Sequence, residues 1–281
     1  MNDLRSVLWL GGPPAAGKST VAQRIARRHG LRWYNSDAHT WEHRDRAVAR
    51  GHPAAIRYER TPVPERWSTS LEERLVMSLH HERGPMVLED LRTLPPAPLT
   101  IAEGTPITPQ ITGPHSGVWL LPTPEVQRSR LARRDLLPEV RELYEYLADE
   151  IATQVGKHEA RTVIIDGSRS VEEVAAEVEA LFADALAEGP RAMSPAERRR
   201  MLRYANRSFV SQYLTFFTRP WARALGGTGD VVLPFLCECA HESCQENVEF
   251  AVADFREPPD GISPAVLAPG HTGTPGDQPL L

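Results

Sequence analysis

Gly11-Gly12-Pro13-Pro14-Ala15-Ala16-Gly17-Lys18-Ser19-Thr20 opens the chain's first structural unit and decides its fold. From Gly12 to Ser19 it spells G-x-x-x-x-G-K-S, the Walker A phosphate loop. The flanks suit the motif. Ser6-Val7-Leu8-Trp9-Leu10 is a short apolar run that reads as a buried strand, and Val21-Ala22-Gln23-Arg24-Ile25-Ala26 reads as a helix ending at Gly30. Strand, glycine-rich loop and helix form the context that gives this motif its meaning. Glycines let backbone N–H groups of Gly12, Ala15, Ala16, Gly17 and Thr20 turn onto a phosphate, and the helix N-terminus adds partial positive charge. Lys18 is expected to reach the β- and γ-phosphates of ATP, and the Ser19 hydroxyl to ligate Mg²⁺.

Outward from that loop, five apolar runs read as strands of one sheet: Val7–Leu10, Leu31–Tyr34, Leu99–Ala102, Val118–Leu121 and Thr162–Ile165. Helical patterns separate them. Leu71, Leu75, Val76 and Leu79 recur at helical spacing after Ser70-x-x-Glu73, and Val171, Val174, Val178, Leu181 and Phe182 after Ser170-x-x-Glu173. Both starts have capping-box chemistry. Alternating strands and helices predict an α/β fold with a parallel, doubly wound sheet, whose ligands sit at the carboxyl ends of the strands.

The composition bounds the rest. The chain has 281 residues and a net charge of −5, so no global positive field recruits nucleic acid. No run of eighteen apolar residues predicts a membrane span. The N-terminus runs straight into the first strand, and a cytoplasmic location is expected. A break at Gly189-Pro190, followed by Ser194-Pro195-Ala196-Glu197 and the basic Arg198–Arg203 stretch, sets an expected boundary between residues 1–189 and 190–281. Pro258–Leu281 is rich in Pro and Gly and is expected to be mobile unless tied down.

Residues 5–187 resemble the P-loop small-molecule kinases: the nucleoside-monophosphate kinases and their shikimate, gluconate and antibiotic kinase relatives. The likeness rests on the order of Gly12–Thr20, Ser36-Asp37, Ala102-Glu103-Gly104, an Arg-rich segment after the fourth strand, and Ile165-Asp166-Gly167. It implies a five-stranded sheet of order 2-3-1-4-5 and ATP-dependent phosphoryl transfer to a hydroxyl. It further implies that Asp37 contacts the acceptor hydroxyl or Mg²⁺, the alternative being a simple helix cap. Two carboxylates compete for the second Mg²⁺-organising or acid–base role. Glu103 is favoured because the third strand lies beside the phosphate-loop strand in the resembled topology. Asp166, with the Gly167-Ser168 backbone, is then placed near the adenine base or as a helix-cap residue. Among Arg128, Arg130, Arg133 and Arg134, the resemblance to a lid points to Arg130 and Arg134 as donors to the transferring group. The long segment Ala38–Pro98, with Trp41, His43, His52, Tyr58 and Trp67, reads as the acceptor site, although each ring alone fits ordinary packing.

All three cysteines cluster in Cys237-Glu238-Cys239-Ala240-His241-Glu242-Ser243-Cys244. Thiolates at this C-x-C-x₄-C spacing can converge on one Zn²⁺, with His271 as the chosen fourth ligand and His241 as the alternative. Free buried or redox-active thiols are the competing reading. Val248–Val252 alternates like a half-buried strand, so a small α+β domain stapled by metal is expected. Residues 205–272 resemble a C-x-C-x₄-C plus Gly-His module of bacterial proteins of unknown function, which implies a structural zinc site. Two rivals to a small-molecule kinase stand beside it: a nucleic-acid end kinase, against which the acidic charge weighs, and a nucleotide-gated adaptor with a protein-binding zinc module. The sequence leaves the acceptor and the oligomeric state open.

Overall fold

The computed structural model describes residues 4–261 and 263–273. Five parallel strands form the central sheet: β1 (Val7–Gly11), β2 (Arg32–Asn35), β3 (Thr100–Glu103), β4 (Gly117–Pro122) and β5 (Thr162–Ile165). Their order is β2-β3-β1-β4-β5. The register sets Leu10 opposite Glu103 across β1 and β3, and Asn35 opposite Glu103 across β2 and β3. The neighbouring ends of β2, β3 and β1 therefore deliver their carboxyl-terminal residues to one place.

Helix α1 (Lys18–His29) leaves the phosphate loop through Gly17, which is in the left-handed region, and ends at Gly30, which is also left-handed. Its Val21, Ala22 and Ile25 enter the main core with Leu8, Leu10, Ile101 and Leu120. Helices α2 (Thr40–Ala49), α3 (Pro53–Arg60), α4 (Val63–Trp67), α5 (Leu71–Ser78) and α6 (His80–Thr93) fill the long excursion between β2 and β3. Short α7 (Pro109–Thr112) follows β3; α8 (Pro124–Ala132) and the long α9 (Pro138–Lys157) follow β4. Helices α10 (Val171–Leu181) and α11 (Ala183–Glu188) close the sheet.

Capping boxes start α5 at Ser70 and α10 at Ser170, with reciprocal bonds to Glu73 and Glu173. The apolar face expected for α5 is different in one respect. Val76 is 49% exposed, and the buried side of α5 instead carries Arg74 and Met77, which face a cavity. An amphipathic pattern assumes an apolar neighbour, and here the neighbour is a chamber lined by arginines as well as by apolar side chains.

Beyond residue 190 the chain does not leave the sheet. Leu99 N–H bonds the Pro190 carbonyl at 2.8 Å, and Ala192 N–H bonds the Gly30 carbonyl at 2.9 Å. Helix α12 (Pro195–Phe216), again capping-boxed from Ser194 to Glu197, lies against β2, and its Leu202 and Ala205 join the main core. After α13 (Pro220–Arg223), strands β6 (Val232–Leu236) and β7 (Asn247–Ala251) pair antiparallel, with Phe235, Val252, Phe255 and Val266 as their own core. Leu236 reaches into the main core. Val266 and Ala268 of the Pro-rich stretch are buried, held by a bond from Glu238 N–H to the Val266 carbonyl. The rest of the expected mobile tail, residues 274–281, lies outside the described residues.

Candidate active site and candidate metal centre

The phosphate loop needs glycine at its entry. Gly12 has φ +135°, and a Cβ there would sit 2.4 Å from the Leu120 carbonyl oxygen. With that approach allowed, the loop wraps Lys18, whose Nζ donates to the Pro13 carbonyl at 2.9 Å and lies 3.4 Å from Thr105 Oγ1. Burial lowers the Lys18 ammonium below its ordinary pKa, while Glu103 and then Asp37 pull it back up.

Glu103 ends β3 with no exposed surface. Neither carboxylate oxygen has a hydrogen-bond partner of ordinary geometry among the described residues. Burial pushes its pKa up to about 7, with Lys18 opposing that rise and the neighbouring Ser19 hydroxyl and Trp33 indole opposing it less. Gly104 follows at φ +158°, and a Cβ there would overlap the Ser36 hydroxyl, so glycine lets the ends of β2 and β3 close up. Asp37 stands on the 3₁₀ turn Ser36–His39, its N–H capped by Asn35 Oδ1 at 2.9 Å. Its carboxylate is exposed and lies 3.8 Å from the buried Arg83 guanidinium, which also donates to the Ser36 carbonyl at 2.5 Å.

Lys18, Ser19, Asp37 and Arg134 line one cavity of about 570 Å³, which continues between α2, α4, α5 and α9. Four further arginines line it: Arg44, Arg66, Arg74 and Arg83. His80 also lines it, its Nε2 without a partner among the described residues and its pKa lowered to about 3, chiefly by burial. Sequence reasoning placed the acceptor site in this excursion through its rings. It missed the arginines, which nothing in their local sequence distinguishes from surface charge.

The remaining predicted residues sit elsewhere. Arg130 grips the phosphate loop from its backbone side, donating to the Ala15 and Ala16 carbonyls at 3.0 Å each. Asp166 folds onto Ser168, accepting from its N–H at 3.0 Å and its hydroxyl at 2.7 Å, and these two with Gly167 lie outside the cavity lining. The turn leads directly into the Ser170 cap of α10.

At the far end of the chain, Cys237, Cys239, Cys244 and His271 each offer a ligand atom, all within 4.8 Å of one another. His271 Nδ1 lies 3.4 Å from Cys237 Sγ and 3.6 Å from Cys244 Sγ. A tetrahedral ion at ordinary zinc distances would separate such atoms by about 3.6 Å. The donor set thus fits Zn²⁺. His241 turns away from it, with Nδ1 2.9 Å from the Ser243 hydroxyl. Ala268 N–H points at Cys237 Sγ at 3.3 Å, a supporting donor for a thiolate. Next to this cluster, Arg203 and Asn206 of α12 bond the fully buried Glu238, and Arg27 of α1 bonds the Cys237 carbonyl at 2.8 Å.

A parallel sheet of order β2-β3-β1-β4-β5, with a phosphate loop between β1 and α1, is a P-loop kinase-like fold. No family model matches the chain, and no curated protein does. Among solved structures it is similar to a shikimate kinase from Acinetobacter baumannii in complex with shikimate, at 19% identity and a TM-score of 0.40, over 63% of this chain and 93% of that one. None of the described helices is long and apolar enough to cross a membrane.

Proposed function

We propose that this chain is an ATP-dependent phosphotransferase acting on a hydroxyl-bearing small molecule, with a structural zinc site in its C-terminal part. The observation that carries the reading is the single cavity in which the phosphate-loop Lys18 and Ser19 meet Asp37 and Arg134. Phosphoryl transfer requires little covalent chemistry from the protein; it needs positioning and charge stabilisation. The acceptor oxygen–phosphorus bond forms as the bond from the γ-phosphorus to its bridging oxygen breaks. Asp37, exposed to the cavity, takes the acceptor's proton. Lys18 and Arg134 meet the charge that spreads over the γ-phosphoryl oxygens. The orphaned Glu103 oxygens beside Ser19 suit a hydrated Mg²⁺, which these two residues would hold. Bound Mg²⁺ supplies Lewis-acid neutralisation of the phosphates.

ATP turnover against a panel of hydroxyl compounds, oligonucleotides included, tests the reading. Lys18→Ala should abolish turnover while the protein stays folded. Wild-type turnover in that folded variant, or transfer to oligonucleotide ends alone, would overturn it. A cytoplasmic location belongs to the same proposal, since ATP is the phosphoryl donor.

A further inference from the structure

Helix α2 begins directly after the turn that carries Asp37, and it has no side-chain cap of its own. His39 holds the N-cap position without a side-chain cap bond; its Nδ1 lies 3.1 Å from Glu42 Oε2 instead. The first N–H groups of a helix find no partner within it and need one from outside. For Trp41 that partner comes from 171 positions away: Gln212 Oε1 of α12 accepts its N–H at 3.2 Å. Beside it, the Ser211 hydroxyl donates to Glu42 Oε1 at 2.6 Å. Helix α12 packs against β2, the Ser36–His39 turn and α2, and Phe209 sets its ring edge-on to Trp33 of β2 at 5.8 Å. Local bonds give the turn its shape, with Asp37 N–H donating to Asn35 Oδ1 and the Thr40 hydroxyl to the Asp37 carbonyl, each at 2.9 Å. The contacts with α12 set where that turn stands against the cavity, whose lining includes Gln212 together with Asp37, Thr40 and Trp41.

The same helix is tied, nearer its start, to the cysteine cluster. Glu238 lies between Cys237 and Cys239 and has no exposed surface. Its carboxylate accepts from Arg203 Nη2 at 2.8 Å and from Asn206 Nδ2 at 3.0 Å. Asn206 also bonds the Leu236 backbone in both directions, donating to its carbonyl at 3.0 Å and accepting from its N–H at 2.9 Å. Arg203 and Asn206 are both buried, so a cysteine loop that came undone would strand a guanidinium and an amide, each costly to leave unpaired. Zinc holds that loop closed, because ion binding and local folding are coupled where the ligands meet only in the folded chain. Gln212 stands about 9 Å further along the helix axis from Asn206. We infer that Gln212 and Ser211 are positioning residues for Asp37, capping and holding the first turn of α2 from a helix that the zinc site anchors. The catalytic consequence rests on the kinase reading, whereas the mechanical link is independent of it. The phosphate loop lies off this route: Arg27, which bonds the Cys237 carbonyl, sits in the last turn of α1, at the end away from Lys18.

Hydrogen exchange of the full-length, zinc-loaded protein reads the link directly. In Gln212→Leu the amides of residues 37–45 should exchange about tenfold faster than in wild type, the worth of a lost helix cap. Ser211→Ala should loosen the same segment, and Ser211→Thr, which keeps the hydroxyl, should not. Zinc content, and affinity for the Mg²⁺ complex of a non-hydrolysable ATP analogue, should stay as in wild type in all three. Stripping zinc from wild type with a chelator should also loosen residues 37–45, and should add nothing there in Gln212→Leu, where the link is already cut. Should chelation unfold the whole chain, zinc-loaded Glu238→Gln takes its place: weakening the tie at the anchor should loosen 37–45, and no loosening there overturns the anchoring. Exchange at 37–45 equal to wild type in both Gln212→Leu and Ser211→Ala overturns the inference, as does zinc removal that loosens residues 232–271 alone. Exchange speeded to the same degree in β1 and β4 assigns Gln212 a general packing role and also overturns it. Turnover of the best acceptor in the hydroxyl panel separates the two readings. It should fall in Gln212→Leu and Ser211→Ala and be kept in Ser211→Thr. Undiminished turnover in a loosened Gln212→Leu would remove the positioning role and leave the kinase standing. Loosening by these variants in a protein that turns over no acceptor would leave the link standing without the kinase.

Discussion

Replacing His80 by Gln should remove about 2 kcal/mol of the stability lost between about pH 7.5 and pH 5. His80 opens α6 at 5% exposure, its Nε2 without a partner among the described residues. Burial first, then the neighbouring charges of His81, Arg83 and Lys18, lower its pKa from 6.5 to about 3. A folded pKa below the unfolded one means that stability is fully present above about 6.5 and is lost as pH falls toward about 3. At pH 5 the unfolded imidazole is protonated by roughly thirty to one, while the folded one stays neutral. The free energy of that proton uptake is RT times the logarithm of that ratio, about 2 kcal/mol, a large part of a typical stability of roughly 5–15 kcal/mol. Urea unfolding of wild type and His80→Gln at both pH values gives the difference of differences. Glu103, raised to about 7, acts in the opposite sense, gaining stability on acidification, but it is common to both proteins and cancels. His43, buried against Asp90 and lowered to about 4, likewise contributes equally to both. An acid loss as large in His80→Gln as in wild type would mean that His80 is not a neutral buried imidazole, and would refute the reasoning.

Asp37→Asn and Glu103→Gln should lower turnover by about 10²- to 10⁴-fold while ATP affinity changes far less, as expected for groups acting mainly in the transition state; steady-state kinetics beside nucleotide titration decides this. Leu202→Ala should cost about 2–5 kcal/mol in a single cooperative transition, because Leu202 lies in the sheet's own core; a separate early transition would mark an independent C-terminal unit. Metal analysis of protein prepared without chelators should find one zinc per chain, reduced by Cys237→Ser and by His271→Ala and retained in His241→Ala.

The phosphate loop, five strands and the caps at Ser70 and Ser170 were legible because each depends on residues within one turn or one strand of each other. Glycine at Gly12 or Gly17, a capping Ser three residues before Glu, and an apolar run bounded by turn residues act locally, so a linear reading captures them. The clustering of Cys237, Cys239 and Cys244 is local in the same way. The expected division at residue 190 rested on composition, and composition does not report that α12 lies against β2 or that Leu202 shares a core with Leu8.

The cavity is where linear reading stopped. Arg44, Arg66, Arg74 and Arg83 come from four different helices, and in the sequence each looks like solvated charge. Whether a guanidinium is solvated or buried depends on which distant groups reach it: Arg44 stacks on Tyr58 and feels Glu59, and Glu59 itself bonds Arg219 from 160 positions away. The apolar spacing of α5 misled for the same reason: its buried face meets a charged chamber, so Arg74 is inside and Val76 outside. The sequence by itself determined the Walker A loop and its flanking strand and helix, since these are built from contiguous backbone. Only the tertiary structure decided what lines the cavity beside that loop, since burial and charge pairing are properties of contacts between distant segments.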